Sequence, residues 1–472
     1  MAKWSRTLGL LLSLVMLVAG CGSSGQPAGG GDGPSGSGDQ QSPPAAGTQP
    51  QAPATPAPSG RTTLQMWIMP NTTQSEQDML QLLQPFMAQH NVDVQVTVID
   101  WSSAWTRITA AATSGEGPDV LQLGTTWVPA IAAMGALEPL SGKVAEIGGA
   151  DAFYPASWNT VSIAGDPEVY AVPWFIDVRA AYYRTDVFQK AGVDPQTAFR
   201  DWESFKAALH QINGTEIEGR PVAAIGFPGK NDWNVTHNIM PWVWGAGGSE
   251  LSADLRSSAI NSEEALDGVM FYTGLVREGL VPPGVLEKNT SDAEMAFHTG
   301  EFAVFFNGPW MVSQYTRPES ENGHADKIAA QNYGVAPIPE GPRGRYTFFG
   351  GSNLAIFNAS RHKELSWELV KFLVGKEAQM AYGEMAGMLP ALKALEPDMV
   401  ALNANFAPFY EAARYGRSYA SIPQWGPVET VYTKHLSTIW DLTAGVSGTY
   451  SREAVKQVLD EAAREATSLL NQ

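Results

Sequence analysis

The chain has 472 residues and carries 30 basic against 48 acidic side chains, which gives a formal net charge of −18 at pH 7. Such an excess of negative charge repels nucleic-acid phosphates and anionic lipid headgroups, so we expect neither as a partner. The single cysteine excludes an intrachain disulfide and a metal site built on several thiolates.

The N-terminal residues have the features of an export signal. Lys3 and Arg6 provide positive charge, and the apolar run Leu8–Val18 that follows is shorter than a membrane-spanning helix. The sequence Leu17-Val18-Ala19-Gly20-Cys21 resembles the lipobox of bacterial lipoproteins, in which the bond before the cysteine is cleaved and the thiol is acylated. We therefore predict a signal peptide over residues 1–20. The alternative is an ordinary signal peptide with a chance cysteine.

The segment after this cysteine has the composition of a flexible tether. Residues 22–60 contain no Leu, Ile, Val, Met or aromatic residue, so they cannot bury enough apolar surface to offset the entropy of ordering. We predict a lipidated Cys21, carrying acyl chains such as palmitate, followed by a disordered linker to residue 60. The folded body would then be anchored to the cell membrane on its extracytoplasmic side, facing a periplasm or the cell surface.

The first hundred residues of the folded part alternate strand and helix patterns. Strands are predicted at Thr62–Ile68, 92–98 and 118–121, with a helix capped by Ser75 after the first strand and a helix around Trp105 after the second. Pro85 lies inside the first of these helices and should kink or shorten it. This β-α-β-α-β order predicts a mainly parallel sheet covered by helices.

Similar α/β patterns continue to the C-terminus, without an internal repeat at a fixed period. About 410 residues are too many for one hydrophobic core, so we expect two domains or lobes. Helices are predicted at 203–211, 262–278, 362–373 and 452–469, and strands at 181–184, 222–227, 302–306 and 353–357.

Signatures of catalysis and of metal binding are largely missing. The seven histidines include no pair at the spacing of helical metal ligands, and no Walker or dinucleotide glycine pattern follows a predicted strand. We therefore predict no metal, no cofactor and no enzymatic activity. Carboxylates are abundant, so a secreted glycoside hydrolase stays open as an alternative, with Asp177 and Glu301 as one conceivable catalytic pair.

Tryptophan is abundant, with 15 residues, several of them beside glycine, proline or amide residues where loops would begin. Flat aromatic rings suit the apolar C–H faces of a pyranose, and carboxylates and amides suit its rim of hydroxyls. The alternative for each ring is a place in a hydrophobic core. The runs concerned are Asn231-Asp232-Trp233-Asn234, residues 241–248, Asn307-Gly308-Pro309-Trp310 and Pro423-Gln424-Trp425-Gly426.

Longer motifs, taken in order along the chain, resemble one family. They are Pro118-Asp119-Val120, the run from Tyr170 through Pro173-Trp174 to Phe188, the run from Phe297 to Trp310, Tyr333–Pro339, and Gly350-Gly351-Ser352. They resemble the family 1 extracellular solute-binding proteins, which are the sugar receptors of ABC importers and include maltose-binding protein. The resemblance spans residues 61–472.

This resemblance implies an α/β fold of the type II periplasmic-binding-protein class. Two lobes would be joined by several hinge crossings, with the ligand cleft between them. Crossings are expected near Asp177, near Thr347–Gly351 and near residue 395. Lobe 1 would then comprise residues 61–176 and 350–395, and lobe 2 would comprise residues 177–349 and 396–472.

The resemblance also implies which residues bind the sugar. Trp310 would be a stacking platform in lobe 2, Asp177 would accept hydroxyl groups, and Trp425 would be a second platform. The remaining implied contacts are Thr126 and Trp127 in lobe 1, Asn71 after the first strand, Trp233, His237 and Arg345, and the backbone of Gly350 and Gly351.

Together these features predict a membrane-tethered monomer that captures a mono- or oligosaccharide outside the cytoplasm. It would deliver this sugar to the permease subunits of an ABC transporter. A receptor of the same fold for another solute, such as a peptide, a polyamine or a phosphodiester, is the nearest alternative, and a glycoside hydrolase is a more distant one.

Overall fold

The computed structural model describes residues 60–229, 234–321 and 323–472. The predicted signal peptide, Cys21, the predicted linker before residue 60 and Trp233 lie outside these residues. Every helix of the described part is too short or too polar to cross a membrane.

The strands follow the predicted α/β alternation, and all the predicted strands are present. They are β1 (Thr62–Ile68), β2 (Val92–Val98), β3 (Val120–Gly124), β4 (Val172–Val178), β5 (Ala180–Arg184), β6 (Thr215–Ile217), β7 (Arg220–Gly226), β8 (Phe302–Asn307), β9 (Tyr333–Ala336), β10 (Thr347–Ile356), β11 (Leu389–Pro390) and β12 (Gly416–Arg417).

The predicted helices are confirmed to within one or two residues. The α-helices are α1 (Ser75–His90), α2 (Trp101–Ser114), α3 (Val128–Ala133), α4 (Pro155–Trp158), α5 (Thr185–Ala191), α6 (Pro195–Ala198), α7 (Trp202–Ile212), α8 (Asn234–Ala246), α9 (Glu263–Arg277), α10 (Thr290–His298), α11 (Trp310–Gln314), α12 (Ile328–Gln331), α13 (Lys363–Leu373), α14 (Lys376–Ala386), α15 (Glu396–Leu402), α16 (Ala407–Ala413), α17 (Trp425–Thr443) and α18 (Arg452–Leu470).

Two separate sheets organise these elements. The first has the strand order β11-β4-β10-β3-β1-β2, with β12 paired to the start of β10. Within it β1 runs parallel to both β2 and β3, as the β-α-β-α-β pattern predicts. The second sheet has the order β6-β7-β8-β5-β9. The α/β fold class is confirmed.

The buried apolar side chains form two cores, and the second sheet contributes to both, with Tyr182 and Phe302 in the first core and Ala181 and Ala303 in the second. The first core contains the apolar side chains of β1 to β4 and β10, together with α13 and α16. The second core lies on one face of the second sheet and is completed by α7, α8, α9, α17 and α18.

The start of α1 differs from the sequence prediction. Ser75 is the first residue of the helix rather than its cap, and its hydroxyl accepts hydrogen bonds from the backbone N–H groups of Asn71 and Thr72. The helix also continues through Pro85 to His90. Pro85 therefore does not shorten α1, although its ring removes one backbone hydrogen bond.

The tryptophans next to proline and glycine in residues 241–248 do not open a loop. Trp242 and Trp244 lie inside α8, which also contains Pro241, and both rings are fully buried in the second core. The sequence did not indicate this helix for two reasons. A helix that is buried on all sides has no polar face and therefore no amphipathic pattern, and Pro241 suggested a break in the chain. For these two rings the core alternative is correct.

Candidate functional site

Several of the predicted site residues lie at one edge of the first sheet. Asn71 follows β1, Trp127 follows β3, and Asp177 is near the end of β4. Because β10 is antiparallel to β3 and β4, its first residues reach the same edge, and Gly350 pairs with Asp177. Open α/β sheets bind ligands outside the carboxyl ends of their strands.

The second sheet presents a corresponding edge. Strands β7 and β8 run parallel, and their carboxyl ends lead to α8, which carries His237, and to Trp310. Strand β5 runs antiparallel to β8, so Ala180 at its start pairs with Asn307 at the end of β8. The two sheet edges therefore meet where β4 passes into β5.

Arg179 is the single residue between β4 and β5, and its guanidinium joins the two edges. Its Nη2 donates to Oδ2 of Asp177 at 2.9 Å and to Oδ1 of Asn234 at 3.2 Å, and its Nη1 donates to Oδ1 of Asn307 at 2.8 Å. The side chain is only 3% exposed. A planar guanidinium suits such a multiple contact because its donors are held in a fixed fork.

Asp177 is a partly buried carboxylate with one unused oxygen. Oδ2 accepts from Arg179, whereas Oδ1 is buried and has no hydrogen-bond partner. Burial raises the pKa of Asp177, and the neighbouring Arg179 charge opposes that increase. A buried acceptor without a partner is costly, so this oxygen has the properties expected of a ligand contact.

Trp310 is held at the same place by polar and cationic contacts. Its indole Nε1 donates to Oε1 of Glu294 at 3.0 Å, and Asn307 Nδ2 donates to the same oxygen at 2.8 Å. The Arg179 guanidinium carbon lies 4.8 Å from the centroid of the ring. Any side chain at Gly308 would collide with the indole, so glycine there allows the ring to fold back. Trp310 is half-buried and fixed in orientation.

His237 lies beside a second carboxylate. Its ring stacks on Phe348 with centroids 4.0 Å apart, its Nδ1 is 2.8 Å from the Tyr419 hydroxyl, and its Nε2 is 3.8 Å from Oε1 of Glu429. Burial lowers the pKa of His237 well below its ordinary value, and Arg179 adds to that effect. Burial raises the pKa of Glu429 to about 7. Because its pKa is lowered, His237 is neutral at pH 7.

Trp127 belongs to a group of three indoles on the first sheet's side. Its ring centroid is 5.6 Å from that of Trp101 and 5.8 Å from that of Trp105. Trp101 is exposed, and Trp105 lies close to Gly426 at the start of α17. Thr126 precedes this group and is half-buried. The cluster forms an aromatic surface that faces α17.

The amide of Asn71 and the backbone of Gly351 are tied to the edge of the first sheet. Asn71 Nδ2 donates to the Tyr382 hydroxyl at 2.8 Å, and the carbonyl of Gly351 accepts from the Thr125 N–H at 3.2 Å. Gly350 and Gly351 interrupt the apolar pattern of β10, although the strand passes through both.

Two predicted contacts, Trp425 and Arg345, are occupied by other protein groups. Trp425 is fully buried, and its ring stacks on Tyr419 with centroids 4.4 Å apart, so neither face is open in this conformation. Arg345 donates through Nη2 to the carbonyl of Arg200 at 3.1 Å and lies 5.8 Å from the Tyr415 ring. Trp233, a further predicted contact, is outside the described residues.

The carboxylate pair considered for glycoside hydrolysis is not assembled. Asp177 lies near Asn307 at the end of β8, whereas Glu301 precedes the start of that strand, is exposed and pairs with Lys288. Six residues of strand separate these positions by roughly 20 Å, against at most about 10 Å between glycosidase carboxylates. Within the described residues, no group of three His, Cys, Asp or Glu side chains could hold a metal ion.

Sequence reasoning missed the residue that organises the site. Arg179 stands two positions after Asp177, inside a quoted motif, but nothing in the motif indicates that it contacts Trp310 more than a hundred positions away. Glu429 was also missed, because its neighbours in the sequence do not indicate that it lies beside His237. For Arg179 one signal was present in the sequence. A charged residue between two apolar strands has no place in a core unless it is paired.

Comparisons with known proteins identify similar sequences. A family model described as "Bacterial extracellular solute-binding protein" matches residues 81–408. The diacetylchitobiose binding protein DasA of Streptomyces coelicolor is 26% identical over 406 residues, which cover 84% of this chain and 88% of that protein.

Solved structures match over most of the described chain. A solute binding protein of an ABC transporter from Thermotoga lettingae, bound with alpha-D-tagatose, has a TM-score of 0.73 at 23% identity and covers 87% of this chain and 100% of its own. The sugar-binding protein MalE from Xanthomonas citri has a TM-score of 0.72 at 24% identity, with 86% and 98% covered. These likenesses establish the two-lobed fold.

Proposed function

Because the chain belongs to the bacterial extracellular solute-binding proteins, we propose that it captures a sugar or oligosaccharide and delivers it to the permease of an ABC importer. The relative DasA is named for a disaccharide ligand, and two matching structures are titled for sugars or sugar binding. These names support a saccharide over the other solutes considered.

The observation that carries this proposal is the meeting of an indole and a partly buried carboxylate where the two sheet edges join. Trp310 supplies a flat apolar ring with a fixed orientation, and Asp177 supplies a buried oxygen without a partner. A pyranose needs these two features together, because its C–H faces are apolar and its rim is hydroxylated.

Binding would act through closure of the two lobes. A sugar that contacts both sheet edges stabilises the closed form only to the extent that it binds this form better than the open one. Selectivity follows from buried hydrogen bonds, since a sugar that leaves one polar group unpaired loses about 1–3 kcal/mol.

We retain the remaining predicted contacts and boundaries within this proposal. The lobe boundaries stay those inferred from sequence, as do the monomeric state, the absence of enzymatic activity and the lipid anchor at Cys21. The proposed contacts are Asn71, Thr126, Trp127, Asp177, Trp233, His237, Trp310, Arg345, Gly350, Gly351 and Trp425, of which Trp425 would have to become exposed on opening.

A thermal-shift screen followed by calorimetry tests the proposal. Maltose, diacetylchitobiose and tagatose are compared with glycerol 3-phosphate and a dipeptide, because a ligand that binds only the native state raises the melting temperature. We expect at least one sugar to raise it. A shift with the phosphate or the peptide alone would identify the same-fold receptor for another solute.

Trp310→Ala then tests the location of the site. We expect it to reduce the affinity for that sugar at least about tenfold, since an aromatic platform contributes on the order of 1–3 kcal/mol. Trp202→Ala is the matched control, because Trp202 is also half-buried but stacks on Phe271 on the second core. Unchanged affinity in Trp310→Ala would remove this ring from the site.

A further inference from the structure

We propose that Arg179 is a positioning residue of the binding site, which keeps the Asp177 carboxylate charged, leaves its second oxygen for the ligand and fixes the Trp310 ring. This inference rests on the proposed function, because it assigns how the two central ligand contacts are prepared. Arg179 itself would not contact the sugar, since its side chain is almost fully enclosed by protein.

The contacts of Arg179 divide between the two sheets. Asp177 belongs to the first sheet, whereas Asn307 belongs to the second and Asn234 begins α8 beside it. The backbone is anchored at the same point, because the Thr347 hydroxyl donates to the carbonyl of Arg179 at 2.8 Å. One guanidinium therefore sets the relative position of groups that come from separate segments of the chain.

The pairing uses only one of the two oxygens of Asp177. Had the guanidinium bound both oxygens, each oxygen would already have one of its acceptor positions occupied. Instead Nη2 is shared between Asp177 and Asn234, while Nη1 is directed to Asn307. The buried Oδ1 of Asp177 thus keeps its hydrogen-bonding capacity, and a bond from a hydroxyl to a charged oxygen is stronger than one to a neutral oxygen.

The same cation fixes the aromatic platform. Arg179 lies 4.8 Å from the Trp310 centroid and 5.9 Å from that of Phe348, so it is placed between a proposed ligand ring and the ring under His237. A guanidinium stacks on such rings, and a lysine ammonium cannot reproduce both the stacking and the fork of hydrogen bonds.

Within the part of the chain that the structure describes, few other charges act on Asp177. Glu294 reaches the site through Trp310 and Asn307, and its negative charge cannot stabilise a second carboxylate. His237 on α8 is neutral because burial lowers its pKa. Among the cations of the described residues, Arg179 is the one in contact with Asp177, so removing it should leave a largely buried carboxylate without this compensation.

A ligand-free experiment tests the electrostatic half of the proposal. Unfolding in urea is followed at pH 5 and pH 8 for Arg179→Gln, Arg179→Lys and the double variant Asp177→Asn with Arg179→Gln. We expect Arg179→Gln to be less stable than the double variant at pH 8, by about tenfold or more in the folding equilibrium, with a smaller difference at pH 5, where protonation removes the charge.

The same urea experiment can also overturn the proposal. If Arg179→Gln and the double variant show the same stability difference at both pH values, Arg179 acts only through packing and the proposal is overturned. Should Arg179→Gln fail to fold, folding of the double variant would support the proposal. Failure of both, with Arg179→Lys also losing stability relative to wild type equally at both pH values, would contradict it.

Sugar binding tests the second half, with whichever of maltose, diacetylchitobiose and tagatose raises the melting temperature most. Arg179→Gln should lose at least about tenfold more affinity at pH 5 than at pH 8 relative to wild type, because protonation of Asp177 replaces a charged acceptor by a neutral one. Arg179→Lys should bind the sugar more weakly than the wild type does. The pH dependence of its affinity should be closer to that of the wild type than the pH dependence of Arg179→Gln is. A pH-independent loss in Arg179→Gln would contradict the proposal.

These two experiments separate the proposals from each other. If no sugar raises the melting temperature of the wild-type protein, the proposed function fails. The urea experiment still decides whether Arg179 keeps Asp177 charged, because it contains no ligand.

Discussion

Glu429 is a half-buried ionisable side chain and His298 is a fully buried one, and pH affects their contributions to stability in opposite directions. Burial raises the pKa of Glu429 to about 7, whereas it lowers the pKa of His298 to about 3. In each case the protein interior disfavours the charged form, which is negative for one residue and positive for the other.

The carboxylate predicts a loss of stability as pH rises. The pKa of Glu429 in the folded state is above its ordinary value of 4.5, so its contribution is complete below pH 4.5 and is lost between pH 4.5 and 7. Glu429→Gln should remove up to about 3 kcal/mol of this pH dependence. The free energy of unfolding in urea is measured at pH 5 and pH 7.5 for the wild type and for Glu429→Gln. An equal change with pH in the two proteins would show that Glu429 is solvated.

The histidine predicts a loss of stability as pH falls. The His298 ring is fully buried, its Nδ1 lies 2.9 Å from the Tyr315 hydroxyl, and its centroid lies 4.2 Å from that of the His324 ring. Because the pKa of His298 in the folded state is below 6.5, its contribution is complete above pH 6.5 and decreases toward pH 3 by at most about 1.4 kcal/mol per unit.

His298→Asn should therefore flatten the acid side of the stability profile, because an amide keeps a polar group near Nδ1 without titrating. Urea unfolding between pH 4 and pH 7 provides the measurement. His210→Asn is the control, since His210 is half exposed and pairs with Glu278 at the surface. An equal effect of the two substitutions would contradict the assignment to His298.

Strand β10 shows how one element depends on one glycine. Gly351 has φ +129°, a conformation that side chains rarely adopt, and a Cβ there would lie 2.2 Å from the carbonyl oxygen of Phe175 on β4. The register between β10 and β4 shifts one residue later, at Ser352 and Asn353. The bend places Gly350 opposite Asp177 while the rest of β10 stays in the first sheet.

Gly351→Ala should destabilise the protein by about 2 kcal/mol or more, because strain and collision act together. It should also weaken sugar binding, since Asp177 pairs with the neighbouring Gly350. Gly274→Ala is the matched control, as this glycine lies in α9, where a Cβ would meet only a Glu278 oxygen at 3.9 Å and should be tolerated. Urea unfolding compares the two variants, and equal stabilities would mean that β10 adjusts.

We predict that the whole molecule is attached to the membrane through Cys21, which lies outside the described residues. Cys21→Ala should move the protein from the membrane fraction to the soluble fraction, because it removes the thiol that would carry the acyl chains. Cell fractionation and the mass of the mature N-terminus measure this. Ser23→Ala is the control, and a Cys21→Ala protein that stays in the membrane fraction would indicate another anchor.

Local patterns were enough to predict many of the elements of the fold, although not α8. Residues 452–469 carry one apolar stripe at helical spacing, and α18 forms there with Ser451 as its cap. The alternating valines of β2 likewise specify a half-buried strand. Family motifs then predicted Asp177 and Trp310, which the fold places beside the same guanidinium. Apolar periodicity can be recognised in the sequence because it depends only on residues that are neighbours along the chain.

Other features arise only when distant segments pack together. Trp242, Trp244 and Trp425 have the same turn-like neighbours as Trp310, yet burial makes these three rings core residues in this conformation. The role of Arg179 depends on residues that come from β4, β8 and α8.

The sequence by itself determined the order of elements, the two-lobed class and the residue types suited to a sugar. The tertiary structure decided which indoles face a shared edge, which carboxylate keeps a free oxygen and which cation compensates it. The physical reason is that burial and charge compensation are properties of three-dimensional surroundings, whereas periodicity and turn chemistry are properties of adjacent residues.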